Sequence, residues 1–547
     1  MTTKYFALTI GPIYETMKKA SKTRSLWASS YMFSYLIREI AEGIRKEVKE
    51  ENYIMPVIGP SLKNGAGLYP DRIIAVIPDT TSFAKLETIV NDVIDRFAQE
   101  VTAQMNAVTN TEYDEEATVA FLRSYIRCIC REYELNDGDN IILNIHNRLD
   151  EEELKPKIAL TDADAVFRFI NNVNGREKDE STGFMVTDGF GFNRIRFDSI
   201  LEVAAKTLCY NDNKHGEHFN SIFREYENNE SDIDEEILKK LRNEFPKEYR
   251  PYQKYVAIVH ADGDNIGKTI KAIGHDKELV KKFSAFLHRF ALKATDRINE
   301  YGGLPIYMGG DDMLFFAPVA VKEDDRFETI FDLCNKLDEF FVEKLKELAT
   351  QIPVSFRQSD ESIIGDIRNP TIACPTLSYG ISVTFYKYPL YEALKISHDK
   401  LWHLAKNPDI HPDKNTLSFR LQKHSGQVIE ADFEKRPGGI YRALSDLVTK
   451  WTRTPHLKEG FLNSVVTRLD FLSPLFEAAV EEKIPLKHFF DNHFNEDPHQ
   501  RDPTKEFLKD IRNIVPLVFT GNVAANKIQL YTALRFIHFI NTENDDK

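Results

Sequence analysis

The run from residue 255 to residue 318 constrains the fold more than any other part of the chain. Residues 255–261 (YVAIVHA) form a short apolar run rich in β-branched residues that stops at Asp262, the pattern of a buried strand. After a glycine-containing loop, Phe283, Phe286, Leu287, Phe290, Ala294 and Ile298 recur at helical spacing, and Gly302 and Gly303 end the pattern. Two further strands, 304–308 and 313–317, flank Gly309-Gly310-Asp311-Asp312, a tight hairpin by its length and its glycines. Residues 326–349 read as a second amphipathic helix and 377–385 as another strand. Residues 390–406 read as a helix entered through Pro389 and closed before Pro408. Strand, helix, strand, strand, helix, strand is the βαββαβ plan of a ferredoxin-like palm.

The N-terminal part reads as a worn copy of that plan. A strand over 5–10 breaks at Gly11-Pro12, helical stretches run to about residue 50, a second strand covers 72–77 and a helix covers 83–105. No adjacent acidic pair marks its hairpin. Residues 106–250 are mixed, with a glycine-rich stretch over 183–192 and a charge-rich run over 225–247 that reads as a solvated helix. Helical periodicity dominates from residue 432, as in Ile440, Leu444, Leu447, Val448 and Trp451, and predicts a C-terminal bundle. The expected class is α+β with four divisions. These are a first palm with a helical insertion (1–200), a helical connection (201–251), a second palm (252–430) and a helical end (431–547).

Composition narrows the function classes. With 71 Lys and Arg against 85 Asp and Glu the chain carries −14, which argues against a free-standing nucleic-acid binder, since such proteins displace counterions with a basic surface. Cys128, Cys130, Cys209, Cys334 and Cys374 are few, odd in number and scattered, as expected in a reducing compartment, and they predict no zinc site. Cys128-Ile129-Cys130 reads as a pair of half-buried thiols. No apolar run is long enough to span a bilayer, and the N-terminal run lacks the features of a signal segment. A cytoplasmic location and no membrane partner are the expectation.

In a βαββαβ sheet the first and third strands are central, so Asp262 and the hairpin aspartates Asp311 and Asp312 are expected at one sheet end. Hard divalent cations take carboxylate oxygens, and Mg²⁺ leaves its other positions to water and phosphate. Mg²⁺ or Mn²⁺ held by Asp262, Asp311 and Asp312 would activate a hydroxyl and stabilise a leaving oxygen at phosphorus. Strand alternation predicts different roles for the hairpin pair, with Asp312 beside Asp262 and Asp311 in support. Gly309 and Gly310 allow a phosphate or base to approach the main chain. Gly263, Asp264 and Asn265 follow Asp262 in the same loop and complete the nucleotide-binding expectation, with Lys268 and Lys406 as point charges for a triphosphate. His260, inside the apolar run, reads as a core histidine. His275-Asp276 and His398-Asp399 lack the partners a metal phosphohydrolase needs.

These residues resemble the large polymerase/cyclase-like subunit of type III CRISPR effector complexes, the Cas-ten family, and in particular its Cmr branch. Residues 260–268 (HADGDNIGK) and 308–313 (MGGDDM) resemble the family's two palm motifs. Gly11-Pro12-Ile13 with 22–31 (KTRSLWASSY) is similar to the branch's N-terminal motif, and 415–427, ending His424-Ser425-Gly426-Gln427, resembles the stretch after its second palm. The resemblance implies two palms facing each other across an ATP pocket, with only the second bearing metal ligands. It also implies synthesis of adenylate second messengers when the complex holds target RNA. Asp262, Asp311 and Asp312 match its metal and catalytic positions, and Lys406 matches the phosphate-contacting lysine of related cyclases. Implied partners are the other type III-B subunits and, through them, guide RNA and target RNA. Two departures from the family are expected: a first palm at the start without the HD nuclease of many relatives, and residues 175–196 in the place of a cysteine zinc site.

The resulting expectation is a Mg²⁺-dependent nucleotidyltransferase in which a 3′-hydroxyl of one ATP attacks the α-phosphate of another to give a cyclic or linear oligoadenylate. The alternatives are AMP transfer to a different small acceptor such as S-adenosylmethionine, and a silent nucleotide-binding scaffold.

Overall fold

The computed structural model describes residues 2–18, 20, 23–59, 66–155, with 109–113 left out, 198–209, 213–225, 234–323, 326–436, 438–452 and 501–542, and a few residues between 465 and 495. The glycine-rich stretch 183–192, the 175–196 stretch and most of 453–500 lie outside the described residues.

The first sheet is built from β1 (Thr2–Gly11), β2 (Tyr53–Met55), β3 (Arg72–Val76) and β4 (Arg127–Asn136), in the order β2-β3-β1-β4. Helices α1 (Thr23–Val48) and α2 (Phe83–Val108) lie between β1 and β2 and between β3 and β4, so this half is a complete ferredoxin-like unit. Two of its strands are invisible to a hydropathy reading: β2 has three residues, and β4 alternates charge with apolar residues, as suits an edge strand. The helix α3 (Ile141–Glu153) follows, capped by the Asn140 side chain on the Leu143 N–H.

The second sheet contains β5 (Tyr255–Asp264), the helices α4 (Ile266–Ile273) and α5 (Lys277–Glu300), then β6 (Leu304–Met308) and β7 (Met313–Pro318). A side hairpin, β8 (Ala320–Glu323) and β9 (Arg326–Thr329), leads into α6 (Ile330–Ala349). The helix expected from residue 326 therefore begins four residues later. Arg326 to Thr329 is extended, and a reciprocal capping box between Thr329 and Asp332 starts the helix. β10 (Thr376–Phe385), α7 (Leu390–Asp399), β11 (Thr416–Gln422) and β12 (Val428–Glu434) complete the sheet, in the order β12-β11-β10-β5-β7-β6.

The two sheets share one hydrophobic core that runs from Phe6 and Trp27 through Phe286 and Tyr379 to Ile540. The C-terminal helices α8 (Ile440–Trp451), α9 (Thr504–Val518) and α10 (Val523–Asn541) belong to it. Phe536 of α10 meets Phe331 and Phe419 with ring centroids 5.3 and 5.6 Å apart, and the Gln529 amide donates to the Asp432 carbonyl at 2.8 Å. These helices pack on one another and together form a layer on the second palm. A smaller core of Phe219, Ile222, Leu238 and Leu241 joins the short helices between the palms. Helix Asp234–Glu244, in the charge-rich run, thus buries one face instead of being solvated all round.

Candidate active site

The site forms where β5 outruns its neighbour. Pairing between β5 and β7 stops at Ala261 opposite Met313, while β5 continues against β10 with Asp262 opposite Ser378 and Asp264 opposite Thr376. The β6–β7 turn closes with the Gly309 N–H donating to the Asp312 carbonyl at 2.9 Å. Gly310 has φ of 104°, a conformation that side chains with a Cβ resist. A Cβ at Gly263 would lie 2.5 Å from Asp311 Oδ2, so glycine there lets the Asp311 carboxylate pack against the end of β5.

Lys406 arrives through an irregular helix. α7 runs on into a π-helical turn, Lys400–Ala405, and the Lys406 N–H donates to the Leu401 carbonyl five residues back at 2.9 Å. The helix expected over 390–406 is therefore α-helical only to Asp399. Lys406 Nζ pairs with the Asp262 carboxylate, donates to the Gly263 carbonyl at 2.6 Å and lies 3.7 Å from Asp264 Oδ1.

Asp264 is fully buried and faces away from the cleft. Its Oδ2 accepts hydrogen bonds from Thr376 Oγ1 at 3.0 Å, Ser378 Oγ at 2.7 Å and the Asn415 N–H at 3.0 Å. In place of the expected nucleotide contact, Asp264 ties β5, β10 and the start of β11 together below the site. Asn265 heads α4 with φ of 58° and donates its amide to the Cys374 carbonyl at 3.2 Å, again a structural role. Lys268 is exposed on α4 and lines neither of the cavities described next.

The hairpin aspartates face different spaces. Asp311, with Gly309, Gly310, Ile266 and Leu287, borders an apolar slot of about 180 Å³ against α4 and α5. Asp312 borders a cleft of about 560 Å³ between the two palms. The second palm contributes His260, Tyr307, His398 and Trp402 to this cleft, and the first contributes Gly11, Pro12, Tyr14 and Asp71. Sequence reasoning missed Asp71 and Trp402. The available signal for Asp71 was its position immediately before β3, as Asp312 stands immediately before β7.

Electrostatics at this end are tense. Burial, followed by the charge of Asp262, raises Asp311 to about 7 and holds Asp312 well above the ordinary carboxylate range. Asp312 is open to the cleft, where water screens its neighbours and reduces that shift. Burial also raises Asp262, against the pull of Lys406. Among the described residues no three acidic, imidazole or thiol groups gather round one point. Asp262, Asp311 and Asp312 all stand at this end of the sheet, Asp311 against the end of β5 and beside the slot, Asp312 on the cleft. Two hard oxygen donors fit Mg²⁺, which takes one or two protein carboxylates, and a cation there would relieve the crowding of like charges. His260 is buried, and the burial lowers it to about 3, so the ring is neutral. Cys128 and Cys130 share β4, half-buried and buried, and no disulfide forms among the described cysteines.

A ferredoxin-like sheet with an aspartate ending its first strand and a Gly-Gly-Asp-Asp turn before its third defines a palm domain of the polymerase and cyclase type. Family models agree: residues 255–418 match "Cas10/Cmr2, second palm domain" and residues 5–110 match "CRISPR-associated protein Cmr2, N-terminal". Over these two segments the chain is similar to the Cas10 family, in its Cmr branch. It is 28% identical over 230 residues to the CRISPR system Cmr subunit Cmr2 of Pyrococcus furiosus, an alignment covering 36% of this chain and 22% of that protein. Its fold is similar to a chain of the type III-B Cmr-beta complex bound to cognate target RNA, with TM-score 0.53 and 11% identity over 98% of this chain and 83% of the other. A chain of the apo Cmr-beta complex gives TM-score 0.49 and 12% identity over 93% and 77%.

Proposed function

We propose that this chain is the nucleotidyltransferase subunit of a cytoplasmic type III-B CRISPR effector complex, working with the other subunits, guide RNA and target RNA to make adenylate second messengers from ATP. The observation that carries the reading is the placing of Asp311 and Asp312 on either side of one turn, each bordering a cavity, beside Asp262 and Lys406. The apolar slot suits the flat base of a donor ATP, and the cleft suits an acceptor. Asp262 and Asp312 would hold Mg²⁺, which when bound polarises the α-phosphate and favours the ionised hydroxyl. The acceptor's 3′-hydroxyl oxygen attacks the α-phosphorus, a phosphodiester forms, the bond to pyrophosphate breaks and the hydroxyl proton passes to water. Lys406 offsets the charge of the carboxylates and of the triphosphate as a compact cation. Gly310 and Gly263 keep the turn and the strand end close enough for one phosphate to meet both.

A second reading has its own support. The cleft wall opposite Asp312 includes Glu15, Asp71 and Glu153 against Arg127. An acidic wall repels a second triphosphate and favours an acceptor carrying a positive group, such as S-adenosylmethionine, as the recipient of AMP.

One experiment separates these readings. The complex is assembled with guide RNA and given ATP and Mg²⁺, with and without target RNA and with and without S-adenosylmethionine, and products are identified by mass spectrometry. Oligoadenylate supports the first reading and an AMP conjugate the second. No ATP consumption under any condition leaves a silent scaffold, and full turnover in the Asp311→Ala, Asp312→Ala double variant overturns the catalytic role given to this site.

A further inference from the structure

Behind the site, two consecutive residues other than glycine stand in the left-handed region. Lys414 has φ of 54° and Asn415 φ of 47°, and residues carrying a Cβ hold that conformation only where surrounding bonds fix it. Asn415 also opens the 415–427 stretch that the sequence singles out and the transfer step above leaves without a role. The bonds that fix this turn come from two sides. On one, the Asn415 N–H donates to Asp264 Oδ2 at 3.0 Å. On the other, Asn415 and Lys435 are joined twice: the Lys435 N–H donates to the Asn415 carbonyl at 3.0 Å, and the Asn415 side-chain amide to the Lys435 carbonyl at 3.1 Å.

A buried charge stands at each end of this chain of contacts. Asp264 Oδ1 has no hydrogen-bond partner among the described residues and lies 3.7 Å from Lys406 Nζ, so it holds that lysine by charge alone. The Lys435 side chain is 6% exposed and donates from Nζ to Asp338 Oδ2 on α6 at 2.6 Å and to the Leu377 carbonyl at 2.9 Å. Leu377 stands opposite Gly263 in the β5–β10 ladder, and the Gly263 carbonyl accepts from Lys406. The two lysines are therefore linked by two routes, one through Asn415 and Asp264 and one across the ladder. The helix at the far end is itself fixed to the C-terminal layer. Tyr441 Oη on α8 lies 2.7 Å from Asn335 Oδ1 of α6, and the Asn335 amide donates to Ser445 Oγ at 2.9 Å.

We propose that Lys435 and Asn415 are positioning residues for Lys406, so that the placing of α6 and α8 sets the alignment of the cation that faces the triphosphate. The proposal rests on the nucleotidyl-transfer reading, since Lys406 has its phosphate task only there. A purely structural role costs stability and leaves the rate per folded molecule unchanged. A positioning role costs rate, because a displacement of about 1 Å at a group matched to the reacting phosphate lowers turnover by up to about a hundredfold.

The test measures ATP consumption by the complex assembled with guide RNA, target RNA and Mg²⁺, at a temperature below the melting midpoint of every variant. Asn415→Gly suits the left-handed turn, keeps the main-chain bond to Asp264 and removes the side-chain bond to Lys435. It should lower kcat by about tenfold and leave KM within about twofold. Lys435→Met should do the same with a larger fall in melting temperature, and Asn415→Gly covers the case in which that variant does not fold. In a Lys406→Met background neither substitution should lower kcat further, because the residue they position is gone. Wild-type kcat in Asn415→Gly, or losses that multiply in the double variants, overturns the proposal. A wild-type complex that consumes no ATP removes the transferase reading, and the linkage is then read from melting without nucleotide. A shift in the Lys406→Met, Asn415→Gly double variant that falls short of the sum of the single shifts upholds it, and strict addition overturns it.

Discussion

The two palms are the same construction with different chemistry installed. In the first, Thr9 of β1 pairs with Arg72, the opening residue of β3. In the second, Ala261 of β5 pairs with Met313, the opening residue of β7. Strand for strand, Ile10 therefore stands where Asp262 does, and Asp71 where Asp312 does. On the other flank Ile10 pairs with Cys128, whereas Asp262 pairs with Ser378. At the matched register positions the first half has Ile10 and Asp71, whereas the second has Asp262 and Asp312, together with Lys406 and the buried anchor Asp264. The difference shows that the topology provides a place, and that three or four side chains decide whether the place can handle phosphate.

The sharpest way to break this comparison is to neutralise the matched aspartates in turn. Asp312→Asn keeps the shape of the turn and removes a hard oxygen donor, so turnover of ATP with Mg²⁺ should fall by roughly a thousandfold. Asp71→Asn, its structural twin, should change turnover by no more than about tenfold, with the effect residing in the acceptor's KM. Equal losses in steady-state assays of both variants would mean that the palms share the chemistry.

Much of the second palm is legible in its sequence, because each of its central strands is apolar and each is bounded by Asp, Gly or Pro. The first palm is less so. Arg127 to Asn136 reads as charged because β4 is a sheet edge, and Asp71 is a lone aspartate whose meaning comes only from its register with β1. At the site, Asp262, Asp311 and Asp312 are adjacent to strand ends and could be placed by alternation. The inward turn of Asp264 could not, because it depends on Thr376, Ser378 and Asn415, more than a hundred residues away. Nor could the helical phase of Arg326 to Thr329, whose residues fit the following helix until the Thr329–Asp332 cap is seen.

A smaller effect sharpens the comparison through Lys406, which reaches the second palm's sheet end from a helix, whereas Arg72 and Arg127 at the first palm's end lie on its strands. Its side chain is 6% exposed against Asp262. Lys406→Met should destabilise the protein by about 3 kcal/mol in denaturant titrations without Mg²⁺, since breaking a buried pair leaves a carboxylate uncompensated. Adding Mg²⁺ should recover more stability in this variant than in the wild type, because the ion would offset the same charge. Equal Mg²⁺ effects in both would place the cation somewhere other than Asp262.

The smallest predicted difference is in the sign of two histidines, one in each half. In the first, His146 at α3 is lowered to about 4, by burial and then by Arg72. In the second, burial opposes protonation of His411, but hydrogen bonds to Asp432 and Glu434 outweigh it and the pKa is raised; its Nδ1 lies 2.8 Å from Glu434 Oε1. Between pH 4 and an unfolded value of about 6.5 the unfolded chain binds a proton at residue 146 that the folded chain refuses, so this group's contribution is lost as pH falls through that window. His411 works in the opposite direction: its contribution is complete below about 6.5 and is lost as pH rises through the higher folded value. His146→Gln should therefore flatten the acid side of a plot of Tm against pH and His411→Gln the side above about 6.5, each by about a degree. The same sign in both variants would contradict the two environments, one a largely buried imidazole at the wall of the apolar slot with a guanidinium near it, the other an imidazole held between carboxylates.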